Sequence, residues 1–460
     1  MTVTSWYERV SAMPRVAGGD EAYLLAEKLF GLSAPMHFVW VFDRDPGVPA
    51  VQQLRARLAA GSIHRAVHRT RVPMARHRWV RSHLPAVGSD TDRIGDDEVG
   101  TWADAHVRDT TLRPIDGAGW QLDSALTSDG RRVVSLLVSH MIADGQGVYR
   151  ALAAAHAGNS GALPDPVSAR GARAVTEDVV DAGRQLAAAA SSLRIVLREA
   201  WRNRGSTPTP TPTPAPTPTS PVPSAPRPVP SDGPETTLAI VNVDRGQWHA
   251  RAREHGGTAN SLFTALLAGV VQRSGYPTGP ELRVCIAVDN RAGEPDERAN
   301  ASGGVWIRLS DRVDAPGPLG GIRALSKQAF VEYAQSGAEQ VADNLQPIVR
   351  LLPRRLIARM MAGIAGPDTT VSNLGVAPET ALGLGGVHAN SFAIRALMQG
   401  MPAERRRIQG PAIAAWAVEY DERITLTFFG IHPDHFGDPE LVRKLIAEQL
   451  SSWRLDHEFW

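Results

Sequence analysis

Between Ser206 and Pro234 the chain repeats Thr-Pro pairs, beginning Thr207-Pro208-Thr209-Pro210, and prolines continue to Pro230. Each proline fixes φ and removes a backbone donor, so the tract favours polyproline II. About 29 residues at ~3.1 Å each reach up to roughly 90 Å. A chain interrupted in this way folds as two bodies. Residues 1-204 and 235-460 are expected to be the two lobes, with 205-234 as the linker. A ligand for a proline-binding module is the other use of such a tract, but no distinctive basic-plus-aromatic frame accompanies it, and spacer is the reading taken.

A length of 460 residues agrees, since it exceeds one ordinary core. Apolar residues at 43% and charged residues at 21% are the usage of a soluble globular protein. The net charge of +1 gives no reason to expect nucleic acid or an acidic partner. Cys285 stands alone, which excludes an intramolecular disulfide and a cysteine-based zinc site. Met1 to Gly19 lacks the basic start and apolar run of a signal peptide, and no stretch is apolar enough to span a bilayer. A cytoplasmic protein without a transmembrane segment is expected, with peripheral lipid contact left open.

Strand and helix signals mix in both halves. Arg132 to His140 alternates as a strand, with Val134, Leu136, Val138 and His140 on one face. A turn at Met141 to Gly145 leads into an alanine-rich helix at Val148 to Ala155. Ala172 to Trp201 reads as a long helix, with Val179, Leu186, Leu193 and Leu197 at helical spacing for packing on the first half. In the second half, strands are expected at Thr237 to Val243, Arg283 to Val288 and Ile424 to Phe429. Asn260 is placed as the cap of an apolar helix, and Asp438-Pro439-Glu440 opens a final one through Leu450.

The chemistry concentrates at Ser139-His140-Met141-Ile142-Ala143-Asp144-Gly145. A histidine at a strand end, with Asp-Gly four and five residues on, sits at a chain reversal where it can face a cleft. Imidazole titrates near neutrality, so it can accept a proton from a hydroxyl as that oxygen attacks a carbonyl. Asp144 would hold the turn by pairing with an arginine, and Gly145 would supply positive φ or let the backbone come close to a ligand. The spacing alone also fits an ordinary strand end and turn.

Segments in shared order on both sides of the tract decide between the two. Asp20-Glu21-Ala22-Tyr23-Leu24-Leu25 and Pro35-Met36-His37 precede Val41-Phe42-Asp43. Trp120 and Ser128-Asp129-Gly130-Arg131 lead to His140. Gly256-Gly257-Thr258-Ala259-Asn260, Val288-Asp289-Asn290-Arg291, Asn300 and Ser372-Asn373-Leu374-Gly375 follow. Together they resemble the wax ester synthase/diacylglycerol acyltransferase branch of the CoA-dependent acyltransferase superfamily, which also holds peptide-synthetase condensation domains and polyketide-associated acyltransferases. The resemblance implies a mixed α/β fold of two chloramphenicol acetyltransferase-like lobes, a pseudo-dimer with a central tunnel. It implies His140 as the general base, with Asp144, Gly145 and Arg291 structural at the active site, Arg291 pairing with Asp144. Asn373 and Ser372 would contact the oxyanion or substrate. It calls for no metal and no permanently bound cofactor. Acyl-CoA, or an acyl carrier protein, would supply the acyl group to an alcohol acceptor. The family's first motif histidine is replaced here by Ser139, which strand parity turns away from His140. Two other readings stay open: a condensation-type catalyst fed by a carrier-protein thioester, and a catalytically degenerate binding protein on the same fold.

Three further features are assigned no chemistry. His64, His68, His77 and His83 lie among six arginines between Ser62 and His83 and are read as a solvated basic surface, with contact to CoA phosphates as the lesser alternative. His432, Asp434 and His435 are read as a loop, because Pro433 and the glycines at 430 and 437 interrupt them. Leu382-Gly383-Leu384-Gly385-Gly386 is read as a turn. The chain lacks a Gly-x-Ser-x-Gly elbow and a phosphate loop, which removes serine hydrolases and the commonest nucleotide-dependent enzymes.

Overall fold

The structure is a computed structural model that describes residues 14–159, 171–202, 236–291, 298–313, 315–336 and 366–460, with isolated positions between these stretches. The linker, 205-234, lies outside the described residues. In chain order the first half supplies β1 (Pro35–Phe42), β2 (Arg65–His68), β3 (Arg78–Arg81), β4 (Asp92–Ile94), β5 (Trp120–Thr127) and β6 (Arg132–Ser139). Its helices are α1 (Gly18–Phe30), α2 (Val48–Ala60), α3 (Val99–Asp109), α4 (Gly145–His156) and α5 (Ala172–Arg202). The second half supplies β7 (Thr237–Asp244), β8 (Leu282–Asp289), β9 (Ser302–Leu309), β10 (Thr369–Val376), β11 (Gly383–Leu384), β12 (Val387–His388), β13 (Ser391–Ala396), β14 (Ile413–Tyr420), β15 (Arg423–Gly430) and β16 (His457–Phe459). Its longer helices are α6 (Arg245–Glu254), α7 (Ala259–Arg273), α8 (Gly320–Ser336) and α9 (Pro439–Ser452).

The alternation that marks Arg132 to His140 puts β6 at the centre of a five-stranded sheet of order β13-β1-β6-β5-β4. Val134, Leu136 and Val138 enter one core with Phe38, Trp40 and Phe42 of β1 and Val148 and Leu152 of α4. On the opposite face Val133 packs with Val99 and Ala103 of α3. Leu137 meets Leu238, Ala414 and Phe429 of the second sheet, so apolar contact joins the two halves directly. β13 pairs antiparallel with β1 from Met36↔Ala396 to Val41↔Ser391, and the first sheet therefore includes a strand from beyond the tract. Arg395 on that strand is buried and donates to Asp104 of α3 (2.6 Å) and to His37 Nδ1 (3.2 Å). His37 in turn donates from Nε2 to Ser135 Oγ of β6 (2.8 Å).

The second sheet has seven strands in the order β16-β7-β15-β14-β10-β8-β9, with β10 parallel to both β14 and β8. Helix α7 is buried from Ser261 to Val271 because it is apolar nearly all round, as a helix inside a core must be. Its cap is Thr258 rather than the expected Asn260: Thr258 Oγ1 accepts from Ser261 N–H and Ser261 Oγ from Thr258 N–H, a reciprocal pair that Asn260, inside the first turn, cannot make. Asp438 caps α9 with Pro439 at its first position, as the sequence indicates.

Two expectations about the surface are corrected together. Helix α5 forms, but Val179, Leu186 and Leu193 are 57%, 52% and 45% exposed. The side chain of Leu197 lies outside the described ones. The helix instead buries Ala174, Asp178, Asp181, Ala182, Ala189 and Ser192. Small residues let it approach closely, and Asp178 meets Arg78 (2.7 Å) and Arg15 (2.6 Å) while Asp181 meets Arg76 (2.7 Å). The basic segment is only in part a solvated surface: Arg69, Arg71, Arg81 and His83 are exposed, but β2 and β3 form a hairpin, Arg78 on β3 is buried, and Arg65 and His64 are buried beside it. His64 Nδ1 accepts from the Trp120 indole N–H (3.2 Å), and His64 precedes β2 while His68 ends it, so the two do not lie on a helix.

The His432 cluster forms a one-turn helix, Pro433–Phe436, in place of the expected loop, since proline suits a first helical position. Asp434 pairs with Arg407 (2.8 Å), and burial pushes His432 down to about 4. Among the described residues no group of three or more His, Cys, Asp or Glu is placed to hold a metal. Gly385 and Gly386, both at positive φ, turn the two-residue strands β11 and β12 back on each other.

Candidate active site

His140 follows β6 directly. Its N–H donates to Ala34 O (2.8 Å), which fixes where the strand ends. Ser139 is buried, and its hydroxyl accepts from Met141 N–H (3.3 Å). The next four residues lead to Asp144, the cap of α4, whose Oδ1 accepts from Gly147 N–H (2.8 Å).

Asp144 also holds the other half. Arg291 Nη2 lies 2.8 Å from its Oδ1 and Arg291 Nη1 2.9 Å from its Oδ2, a bidentate pair of the kind the sequence suggests. Asp144 Oδ2 accepts from Ala301 N–H (2.8 Å), and Asp144 N–H donates to Ala299 O (3.1 Å). These bonds clamp residues 299–301 against the turn and bring Asn300 to the imidazole.

Asn300 is the residue that defines the site. Its Oδ1 is 2.8 Å from His140 Nδ1, while its Nδ2 donates to His140 O (2.7 Å) and to Asp20 Oδ1 (2.9 Å). The Asn300 N–H donates to the same Asp20 oxygen (3.0 Å). A carbonyl can only accept, and so can a carboxylate, so the amide NH2 must face them and its oxygen must face the ring. His140 then carries its proton on Nδ1 and its lone pair on Nε2.

Helix α1 closes the other side of the ring. Tyr23 stacks on His140 with centroids 4.7 Å apart and planes 20° from parallel. Asp20, one turn earlier on the same helix, has its Oδ2 held by Ala17 N–H (2.9 Å) and the Trp79 indole N–H (3.4 Å). Burial pushes the Asp20 carboxyl up to about 6, against the hydrogen bonds from Asn300 and Ala17 that pull it down. Burial also lowers the His140 pKa below the ordinary 6.5, and the Asp144 charge offsets that only in part. The ring is thus neutral at neutral pH, the state a base requires.

Gly145 does not have positive φ; its lack of a side chain serves close approach, because a Cβ there would lie 2.5 Å from Leu374 Cδ2 at the end of β10. That contact brings the Ser372-Asn373 strand end to the head of α4. Asn373 Nδ2 donates to Asn260 Oδ1 (2.6 Å) and its Oδ1 accepts from Gly375 N–H (2.9 Å), which commits one of the two amide N–H groups. Of the site's members, Asn300, Asp20 and Tyr23 are quoted in the resemblance but assigned no role from sequence. The signal for Asp20 and Tyr23 lay in the opening segment, where a helix-spaced Asp and Tyr share one face.

No family model matches the chain, and no curated protein matches it by sequence. Solved structures do resemble it. The first condensation domain of the CDA synthetase superposes with a TM-score of 0.57 at 14% identity, over 95% of this chain and 96% of that one. The wax ester synthase/diacylglycerol acyltransferase from Marinobacter aquaeolei VT8 gives 0.54 at 12% identity, over 96% and 100%. Polyketide synthase associated protein 5 from Mycobacterium tuberculosis gives 0.54 at 12% identity, over 96% and 98%. The fold is therefore the acyltransferase and condensation-domain type, two chloramphenicol acetyltransferase-like lobes built on the two sheets.

Proposed function

We propose that the protein is an acyltransferase that moves an acyl group from a thioester to the hydroxyl of an alcohol, with His140 as general base. The observation that carries this reading is the neutral imidazole whose Nδ1 is bound by Asn300 Oδ1, leaving the Nε2 lone pair for the acceptor. Nε2 takes the hydroxyl proton as the oxygen bonds to the thioester carbon. The tetrahedral oxyanion then collapses, the C–S bond breaks, and the leaving sulfur recovers the proton from Nε2. The remaining N–H of Asn373, with Ser372 beside it, is assigned to the oxyanion or substrate. Apart from the proton that passes through Nε2, every bond made or broken belongs to the two substrates, so the proposed step balances without a resident cofactor.

Acyl-CoA is the proposed donor, entering a tunnel between the lobes opposite the acceptor. Among the described residues no helix is long and apolar enough to cross a membrane, so an apolar alcohol would be met at a surface. The likeness to condensation domains supports a second reading in which the donor is a carrier-protein thioester. Purified protein offered acyl-CoA and acyl-carrier donors side by side, with products read by mass spectrometry, separates the two. Replacing His140 by Ala is expected to cost on the order of 10²–10⁴ in turnover. A folded His140→Ala protein with unchanged turnover overturns the assignment.

A further inference from the structure

We propose that Asp20 is a positioning residue for this reaction, acting through the Asn300 amide to hold the His140 proton on Nδ1 and the lone pair on Nε2. The inference rests on His140 being the base, and its test is read on the ring itself. An asparagine amide alone does not choose a tautomer. Turned over, it would offer an NH2 group to Nδ1, and the ring would carry its proton on Nε2, where it cannot accept one. What chooses is the far side of the amide. Asp20 Oδ1 takes both the Asn300 side-chain N–H (2.9 Å) and its backbone N–H (3.0 Å), beside His140 O at 2.7 Å. A flipped amide would set its oxygen against that carboxylate and that carbonyl, with Asp20 and Asn300 both buried.

Asp20 is itself fixed, because its other oxygen is bound at the head of α1 by Ala17 N–H (2.9 Å). The same helix supplies Tyr23, stacked on the ring. Asp20 lies in the first half and Asn300 in the second, so the base is set only when the two halves meet.

Two variants separate positioning from capping. Asp20→Ser keeps the bond to Ala17 N–H, as Ser261 does at the equivalent position of α7, but is too short to reach Asn300. Asp20→Asn keeps an acceptor oxygen at full length. The readout is the 15N chemical shifts of the His140 ring nitrogens in the full-length protein, assigned by difference from His140→Gln. The native ring is expected to show a protonated Nδ1 and a bare Nε2. Asp20→Ser is expected to give a mixture of tautomers with turnover reduced about tenfold or more, and Asp20→Asn, whose one oxygen serves Asn300 only with its NH2 turned toward Ala17 N–H, to restore a single tautomer and part of the turnover. Native ring shifts in folded Asp20→Ser protein overturn the proposal. Unchanged turnover in His140→Ala overturns the reading of the reaction instead, and leaves the tautomer result standing.

Discussion

Arg291 and Asp144, from opposite sides of the proline-rich tract, meet through two guanidinium nitrogens on two carboxylate oxygens at 2.8 and 2.9 Å, with side chains only 4% and 5% exposed. Asp144 caps α4 and Arg291 lies two residues beyond the end of β8, so one ion pair ties the start of a helix in one half to the segment that leaves a strand in the other. The bond does not touch the imidazole. Its effect is to hold Asn300 where the imidazole needs it.

Removing one member of such a pair leaves a buried charge without its partner, at a cost of about 3–5 kcal/mol. Arg291→Ala is therefore expected to lower the urea midpoint sharply and to lose turnover. Arg291→Lys should recover only part of each, because an ammonium cannot repeat the fork geometry. Equal unfolding midpoints for the native and Ala proteins would refute this account of the clamp.

Asp20 predicts a pH dependence of stability. Its carboxyl is raised from 3.8 to about 6, roughly two units, which corresponds to about 3 kcal/mol. Because the folded value is the higher one, its contribution is fully present below 3.8 and is lost as pH rises through about 6. His140 acts in the opposite sense: its lowered pKa means that the unfolded chain takes up the proton first, eroding stability as pH falls below 6.5. Comparing urea curves of the native protein and Asp20→Asn at pH 4.5 and 7.5 isolates the Asp20 part. The variant should gain on the native protein as pH rises, and parallel changes in the two would contradict the burial argument.

Gly145 predicts a coupled pair. An added Cβ would press on Leu374 Cδ2 at 2.5 Å, the movable end of a side chain, so Gly145→Ala is expected to cost about 1–3 kcal/mol through overpacking. In a Leu374→Ala background the same change should be neutral or slightly stabilising, since Ala is the better helix residue. A double-mutant cycle with no coupling would show that Leu374 is not what Gly145 makes room for.

The site was legible where its geometry is local. His140 at a strand end and the Asp144 turn follow from short spacings, and β6 alternates as its sequence says, whereas Arg291 as the partner of Asp144, 147 residues away, came from the resemblance. The role of Asp20 was not legible, because its bond to Asn300 joins residues 280 apart and no periodicity records it. The cap of α7 was misplaced for a different reason. Thr258 and Asn260 are both capping types, and only the reciprocal bond to Ser261 decides between them. Burial of charge was the hardest to foresee, since Arg78 and His64 look solvated until their partners are known.

Helix α5 makes that last point testable. Helical spacing identified the helix, but spacing of apolar residues was taken to mark the buried face, and the buried face is the one with Asp178 and Asp181. Two aspartates at i, i+3 facing Arg15, Arg76 and Arg78 dock the helix, and the buried Ala174, Ala182 and Ala189 let it sit close. Asp178→Ala, which leaves the buried Arg78 with Glu177 (2.9 Å) as its remaining carboxylate and takes Arg15's carboxylate away, is expected to destabilise by about 1–3 kcal/mol. Val179→Ser, Leu186→Ser and Leu193→Ser, at exposed positions, should each stay within about 0.5 kcal/mol of the native protein. Urea unfolding of the four variants decides it: a large loss from the Val and Leu changes with little from Asp178 would mean that the helix packs by its apolar face after all.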